Sequence, residues 1–334
     1  MIVLLFTGGT ISMKLDPATG AAVPALSAED ILAQVPGLDA ISPIAVDDFS
    51  RLPGPHVTPE QMWRLARHAA DWLERDDVTG MVITHGTDTI EETAYLLDLV
   101  LLSDKPVVLV GAMRTVSDPG WDGPANLLAA VRVAASPGAR GRGVLVVMDD
   151  RILPAREVRK VHTESSASFT APEFGPLGQV DGGLVLFKRD APPRPGWRAG
   201  GAPPGLRVGR LETRVDLIQA YTGMDDSLIR YAVAHGAQGL ALVAYGRGNV
   251  PPSIVPALRD AVSAGVLVTV SSRCVAGRVS ARYGYDGGGL QLKNLGAILA
   301  GDLSAAKARL LQMVALGANV EAARARTLVE SALA

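Results

Sequence analysis

One cysteine, Cys274, in a chain of 334 residues excludes any intrachain disulfide and any zinc cluster built on cysteines. The other histidines (His56, His68, His162 and His235) are as scattered as His85, with no HxxxH or similar spacing, so neither a metal site nor a cofactor is expected. An excess of one charge is also missing. Lys and Arg total 32 against 34 Asp and Glu, and the formal net charge of −2 offers no broad basic field to nucleic acid or to an acidic membrane. No run of about 18 apolar residues is present to span a bilayer, and the opening MIVLLFTGG lacks the basic flank and the length of a signal sequence. No short fixed period repeats, which argues against a solenoid. These absences predict a soluble cytoplasmic protein whose partners are small and roughly neutral, with no nucleic acid and no membrane.

What the chain does contain is alternation. The apolar runs IVLLF (2–6), GMVIT (80–84), PVVLV (106–110) and VLVVM (144–148) are each followed by helical patterning. Continuous apolar strands alternating with helices predict an open, mainly parallel sheet covered on both faces. The Pro/Gly-rich RDAPPRPGWRAGGAPPG (189–205) reads as a linker, because that composition can neither continue a helix nor pair in a central strand. Beyond it GLALVAY (239–245), a helix near 252–264, GVLVTVSS (265–272) and a helical end from about 303 resume the alternation. The expected fold class is therefore α/β. An N-terminal catalytic domain covers 1–188, a linker 189–205, and a smaller α/β C-terminal domain 206–334.

Two helix starts carry capping-box patterns: Thr58 with Pro59 and Gln61, and Thr89 with Glu92. The second pattern puts Thr87 and Asp88 of HGTDT in the turn at the carboxyl end of a parallel strand, where open α/β sheets bind ligands. The first strand ends in TGGTIS (7–12), whose glycines let backbone approach a ligand and whose Thr7 and Thr10 offer hydroxyls. A dinucleotide fingerprint does not fit, since the third glycine is missing and KLDPATGAAVP that follows reads as a loop. A threonine attacks only when something accepts its proton. Asp88 is one acceptor, and a lysine with a lowered pKa is another. Lys160, in RILPAREVRKVHTESSASF (151–169), is the best placed of these. His85 titrates near neutrality as a free side chain, but its place just inside the strand end suggests support rather than catalysis.

TGGTI together with HGTDT resembles the two threonine signatures of the bacterial-type L-asparaginases, the asparaginase/glutaminase family, and more closely the cytoplasmic type. DKPVVLVGAMR (104–114), DGPANLLAAV (122–131), GVLVVMDDRILPAREVRKVHT (143–163) and YGRGN (245–249) are similar to the same family, so the resemblance covers nearly the whole chain. It implies hydrolysis of asparagine to aspartate and ammonia through an acyl-threonine, with glutamine as a possible poorer substrate. Thr10 then corresponds to the nucleophile, and Thr87, Lys160 and Asp88 to a hydrogen-bonded set across the substrate, Asp88 also binding the α-amino group. Gly9, Gly86 and Ala112 lie in the matching substrate-binding turns, with backbone amides for the oxyanion. Gly54, Pro55 and His56 fall at the substrate-carboxylate site. Asn249 matches a residue that completes the site of a neighbouring subunit, which implies a homodimer or homotetramer, and Asp286 is the candidate acidic partner.

Two departures from the family stand out. Val23 occupies the spacing of the lid tyrosine that steadies the nucleophile in many relatives, and no tyrosine precedes Tyr95. Gly54 stands where many relatives have a carboxylate-binding serine. They motivate an alternative, a catalytically impaired amino-acid-binding or regulatory protein on the same fold. A tRNA-directed amidotransferase subunit would carry a further N-terminal domain and a basic surface, neither of which is expected here.

Overall fold

The computed structural model describes residues 1–192, 208–318 and 320–333. The expected linker therefore lies mostly outside the described residues. The chain forms two compact units, Met1–Pro193 and Arg194–Ala334.

The first unit runs β1 (Ile2–Gly8), β2 (Met13–Leu15), β3 (Ala22–Pro24), α1 (Ala28–Leu32), β4 (Ile44–Leu52), α2 (Pro59–Glu74), β5 (Gly80–Thr84), α3 (Ile90–Val100) and β6 (Val107–Val110). It continues through α4 (Gly123–Ala135), β7 (Val144–Met148), β8 (Arg151–Pro154), β9 (Arg159–Lys160), β10 (Phe169–Thr170), β11 (Gly178–Asp181) and β12 (Leu184–Phe187). Eight strands form one sheet in the order β12-β11-β8-β7-β6-β5-β1-β4. The run β4-β1-β5-β6-β7 is parallel, and the other three strands join antiparallel.

The β1 pattern explains how the sheet is buried. Ile2, Leu4 and Phe6 face one core with α1 and α4, while Val3 and Leu5 face the other with α2 and α3. Side chains alternate along a strand, so a strand apolar at every position is buried on both faces. Each fully buried leucine or isoleucine contributes roughly 1.5–3 kcal/mol.

The strand order also places the site. β1 connects toward β4 on one side, whereas β5 connects toward β6 on the other. Their carboxyl ends flank a topological switch point, the crevice where such sheets bind ligands.

Three expectations need correction. VLVVM leads not into a helix but into β8, because Asp149 (φ 51°) and Asp150 (φ 58°) make a two-residue reverse turn. KLDPATGAAVP is not an open loop. β2 and β3 pair as a hairpin, with Asp16 Oδ1 accepting from Ala18 N and the Gly20 N–H returning to Asp16 O. Thr89 forms no side-chain cap; its hydroxyl donates to Gly54 O at 3.0 Å. The box at Thr58 and Gln61 does form.

The second unit contains β13 (Val215–Gln219), α5 (Ser227–Ala234), β14 (Gly239–Ala244), α6 (Val255–Ser263), β15 (Leu267–Ser272), α7 (Gly289–Asn294), β16 (Ile298–Leu299), α8 (Ala305–Gly317) and α9 (Ala322–Leu333). Its four strands are parallel, in the order β13-β14-β15-β16. The chain is thus α/β, with a large mainly parallel sheet followed by a smaller one.

Candidate active site

The floor of the crevice is glycine. Gly9, just past β1 at φ 88°, lies so close to the turn after β5 that a Cβ on it would sit 2.5 Å from Gly86 Cα. A Cβ on Gly86 would in turn sit 2.6 Å from Gly54 Cα, in the turn after β4. No L side chain fits at Gly9 or Gly86, so three strand ends meet backbone to backbone only because these two residues are glycines. Thr10 follows at once, half-buried, opening a short 3₁₀ turn closed by Ser12, whose hydroxyl donates to Gly9 O at 2.9 Å. Thr7 does not offer a free hydroxyl: it is buried and donates to Thr84 O at 2.6 Å, clamping β1 to β5.

On the other side, Thr87, Asp88 and Lys160 come together. Lys160 Nζ donates to Thr87 Oγ1 at 2.9 Å and to Asp88 Oδ1 at 2.7 Å. Thr87 is buried, while the Asp88 side chain is 59% exposed, so the set reaches from the interior to the surface. Lys160 arrives on the two-residue strand β9, and its backbone N–H donates to Glu91 Oε2 at 2.8 Å. Sequence reasoning missed Glu91, since a side chain that binds backbone remote in sequence leaves no local pattern.

His85 is buried, with Nδ1 2.9 Å from Gly86 O and Nε2 2.9 Å from Thr93 Oγ1. A carbonyl only accepts, so Nδ1 carries the proton and Nε2 accepts from the Thr93 hydroxyl. Burial pushes the imidazole pKa down from 6.5 to about 4. The neutral ring holds the Gly86 carbonyl, and in a trans peptide the Thr87 N–H then points the opposite way.

The turn after β6 is built from acceptors that sequence reasoning also missed. The Asp122 carboxylate accepts from Met113 N (3.0 Å) and Arg114 N (2.9 Å). Asn126 Nδ2 donates to Gly111 O at 3.1 Å, and Asn126 Oδ1 accepts from Asp149 N at 3.1 Å. DGPAN was the available signal. Ala112 lies fully buried within this turn, and a Cβ on Gly111 would be 3.0 Å from Thr87 Cγ2, so the turn backs directly onto Thr87.

Gly54, Pro55 and His56 form one 3₁₀ turn in which only Gly54 is buried. A Cβ on Gly54 would rest in ordinary contact, 3.4 Å from Asp88 Cβ, so space for a small side chain is unused there. Val23 is exposed on β3, opposite Lys14. In the second unit Asn249 closes the turn after β14. It exchanges backbone bonds with Tyr245 and accepts from Gly289 N through Oδ1 at 3.3 Å. Asp286 is exposed in the same unit. Among the described residues, no cluster of His, Cys, Asp and Glu could hold a metal ion.

Residues 1–193 match the family described as "Asparaginase, N-terminal", and residues 214–329 match the "Glutaminase/Asparaginase C-terminal domain". The chain is 39% identical over 331 residues to a "Probable L-asparaginase" of Deinococcus radiodurans, covering 97% of this chain and 94% of that one. A "Glutaminase-asparaginase" of Pseudomonas fluorescens biotype A is 34% identical, over 94% of this chain and 86% of its own. Among solved structures, a probable cytoplasmic L-asparaginase from Campylobacter jejuni superposes with a TM-score of 0.85 at 33% identity, covering 98% of both chains.

Proposed function

The chain belongs to the asparaginase family, and from that premise we propose that it hydrolyses the side-chain amide of L-asparagine to L-aspartate and ammonia through a Thr10 acyl-enzyme. The Thr10 hydroxyl adds to the amide carbon as its proton is passed to the Thr87–Lys160–Asp88 set, which returns it to the leaving nitrogen, and the developing oxyanion is met by backbone N–H groups beside Gly9 and Gly86. Collapse expels ammonia, which carries away the proton delivered by the Thr87–Lys160–Asp88 set. Water then cleaves the ester and restores Thr10. No electrons are transferred, so these steps call on no redox partner. Asp88, open to solvent, also receives the substrate's α-ammonium group.

The observation that carries this reading is the lysine ammonium held between a buried threonine hydroxyl and a carboxylate, at 2.9 and 2.7 Å. Binding alone does not require that arrangement. The likeness to a cytoplasmic enzyme supports a cytoplasmic location, and no described helix is long and apolar enough to cross a membrane. The glutaminase-asparaginase relative supports a weaker glutaminase activity. One methylene of pocket depth is worth about 1–3 kcal/mol, a roughly 10–200-fold preference. We further infer that Asn249 completes the site of a neighbouring copy in a homodimer or homotetramer.

The test is ammonia release with L-asparagine, L-glutamine and D-asparagine. Saturable turnover of L-asparagine is expected, and Thr10→Val is expected to fold with an unchanged melting temperature while losing turnover at least about a thousandfold. Retained turnover in that variant would move the nucleophile elsewhere, with Thr87 next. The exposed Val23 and the bare Gly54 favour a second reading, an amino-acid-binding protein. Equilibrium binding of aspartate without ammonia release would establish it.

A further inference from the structure

β9 is an unusual support for a reacting group. It is two residues long, and among the described residues β10, also two residues, is its sole strand partner; neither belongs to the eight-stranded sheet. Yet Lys160 must hold its ammonium within hydrogen-bond reach of two groups at once. Long lysine side chains lose considerable rotamer entropy when fixed, so the backbone that carries one has to be fixed first.

Besides the pairing with β10, Glu91 holds this strand. Its carboxylate, only 16% exposed, accepts the Lys160 backbone N–H through Oε2 at 2.8 Å and faces Arg159 Nε through Oε1 at 3.6 Å. Bonds to an ionised acceptor are shorter and stronger than neutral ones. Glu91 sits in the first turn of α3, three residues after Asp88, where the helix dipole also favours negative charge. One helix start therefore supplies both what the Lys160 ammonium grips and what grips the Lys160 backbone. The result is a closed ring: Thr87 and Asp88 to Nζ, down the side chain, and from the Lys160 N–H back to α3 through Glu91.

We propose that Glu91 is the positioning residue for Lys160, setting the distance between β9 and the start of α3 so that one ammonium meets Thr87 and Asp88 together. Glu91 touches Lys160 through its backbone only, so it acts through Lys160 and not on substrate. The inference rests on Lys160 belonging to the proton path.

Glu91→Met keeps the volume and removes the acceptor; Glu91→Gln keeps the volume and one acceptor oxygen. Steady-state ammonia release should show kcat lowered about 10–100-fold in Glu91→Met, with KM changed less than about 3-fold and Glu91→Gln restoring most of the loss. In a Lys160→Met background, Glu91→Met should cost less than about 2-fold more, since the group it positions is gone. Should Glu91→Met fold poorly, the pair Glu91→Met with Arg159→Met removes both charges and should give the same kinetic loss. An equal loss from Glu91→Met with and without Lys160 would make the role merely structural and overturn the inference, as would unchanged kcat in Glu91→Met. Full turnover in Lys160→Met alone would instead sink the catalytic reading of Lys160, and this inference with it.

Discussion

His85 shows how one residue ties stability to the site. Its pKa is lowered to about 4 in the folded chain, against 6.5 for an unhindered imidazole. Between those values the unfolded chain binds a proton that the folded chain refuses, so stability falls as pH falls through the window and is unaffected by this group above it. The slope is about 1.4 kcal/mol per pH unit, or about 2 kcal/mol between pH 7.5 and 5. Glutamine can still bond Gly86 O and the Thr93 hydroxyl but does not titrate. Urea unfolding, followed by tryptophan fluorescence, to which the first unit contributes Trp63, Trp72 and Trp121, should therefore weaken for the native chain by about 2 kcal/mol more than for His85→Gln over that range; equal weakening would place the titrating group elsewhere. At this scale the sequence is readable where chemistry is local. Thr87 and Asp88 are two neighbours in one turn, and Lys160 meets both. Hydroxyls were misread: those of Thr7 and Thr89 are taken up by Thr84 O and Gly54 O, partners 77 and 35 residues away. Asp122, Asn126 and Glu91 escaped notice for the same reason, since each binds main chain outside its own local pattern.

Among elements, the hairpin of β2 and β3 is the one whose hold on the rest can be tested. Leu15 N donates to Ser117 Oγ at 3.0 Å and Val116 N to Met13 O at 3.3 Å, so β2 is zipped to the turn at 115–118. At its base Ser12 O accepts from Ala25 N and Leu26 N. Val23 is 38% exposed, so it buries less than a core valine would, and the polar zipper takes on more of the hold. A hydrogen bond of this kind is worth about 0.5–1.5 kcal/mol, so Ser117→Ala should raise the open population roughly 2–10-fold. Limited proteolysis between Asp16 and Ala21 should quicken by that factor, with KM for asparagine rising more than kcat falls; an unchanged cleavage rate would show that the base bonds hold the hairpin alone. Elements were legible where burial is complete, as for GMVIT and VLVVM. β4 was not, although at nine residues it is a long strand, because it is the sheet edge. There Asp47 can turn to His68 Nε2 and Trp72 Nε1, both at 2.6 Å, and Asp48 to Arg51, which interrupts the apolar run that marks a covered strand.

For the whole molecule, the order of strands was the least legible feature, because it depends on which edges meet and not on any one segment. The switch point between β1 and β5 exists only once β4 has crossed to the far side of β1. Assembly is a question of the same scale. Tyr221, Leu228, Tyr231, Val275 and Tyr285 of the second unit are each half or more exposed on the single chain. These side chains are candidates for burial if copies associate, and a net charge of −2 adds little long-range repulsion between copies. If Asn249 completes a neighbour's site, turnover requires the assembled form and should follow the dimer population on dilution. Sedimentation at micromolar concentration should show a dimer or larger, and Asn249→Ala should lower kcat/KM about 10-fold or more without altering the assembly. A monomer with full specific activity would contradict the shared site. A stable dimer whose Asn249→Ala variant turns over normally would keep the assembly and remove Asn249 from the chemistry.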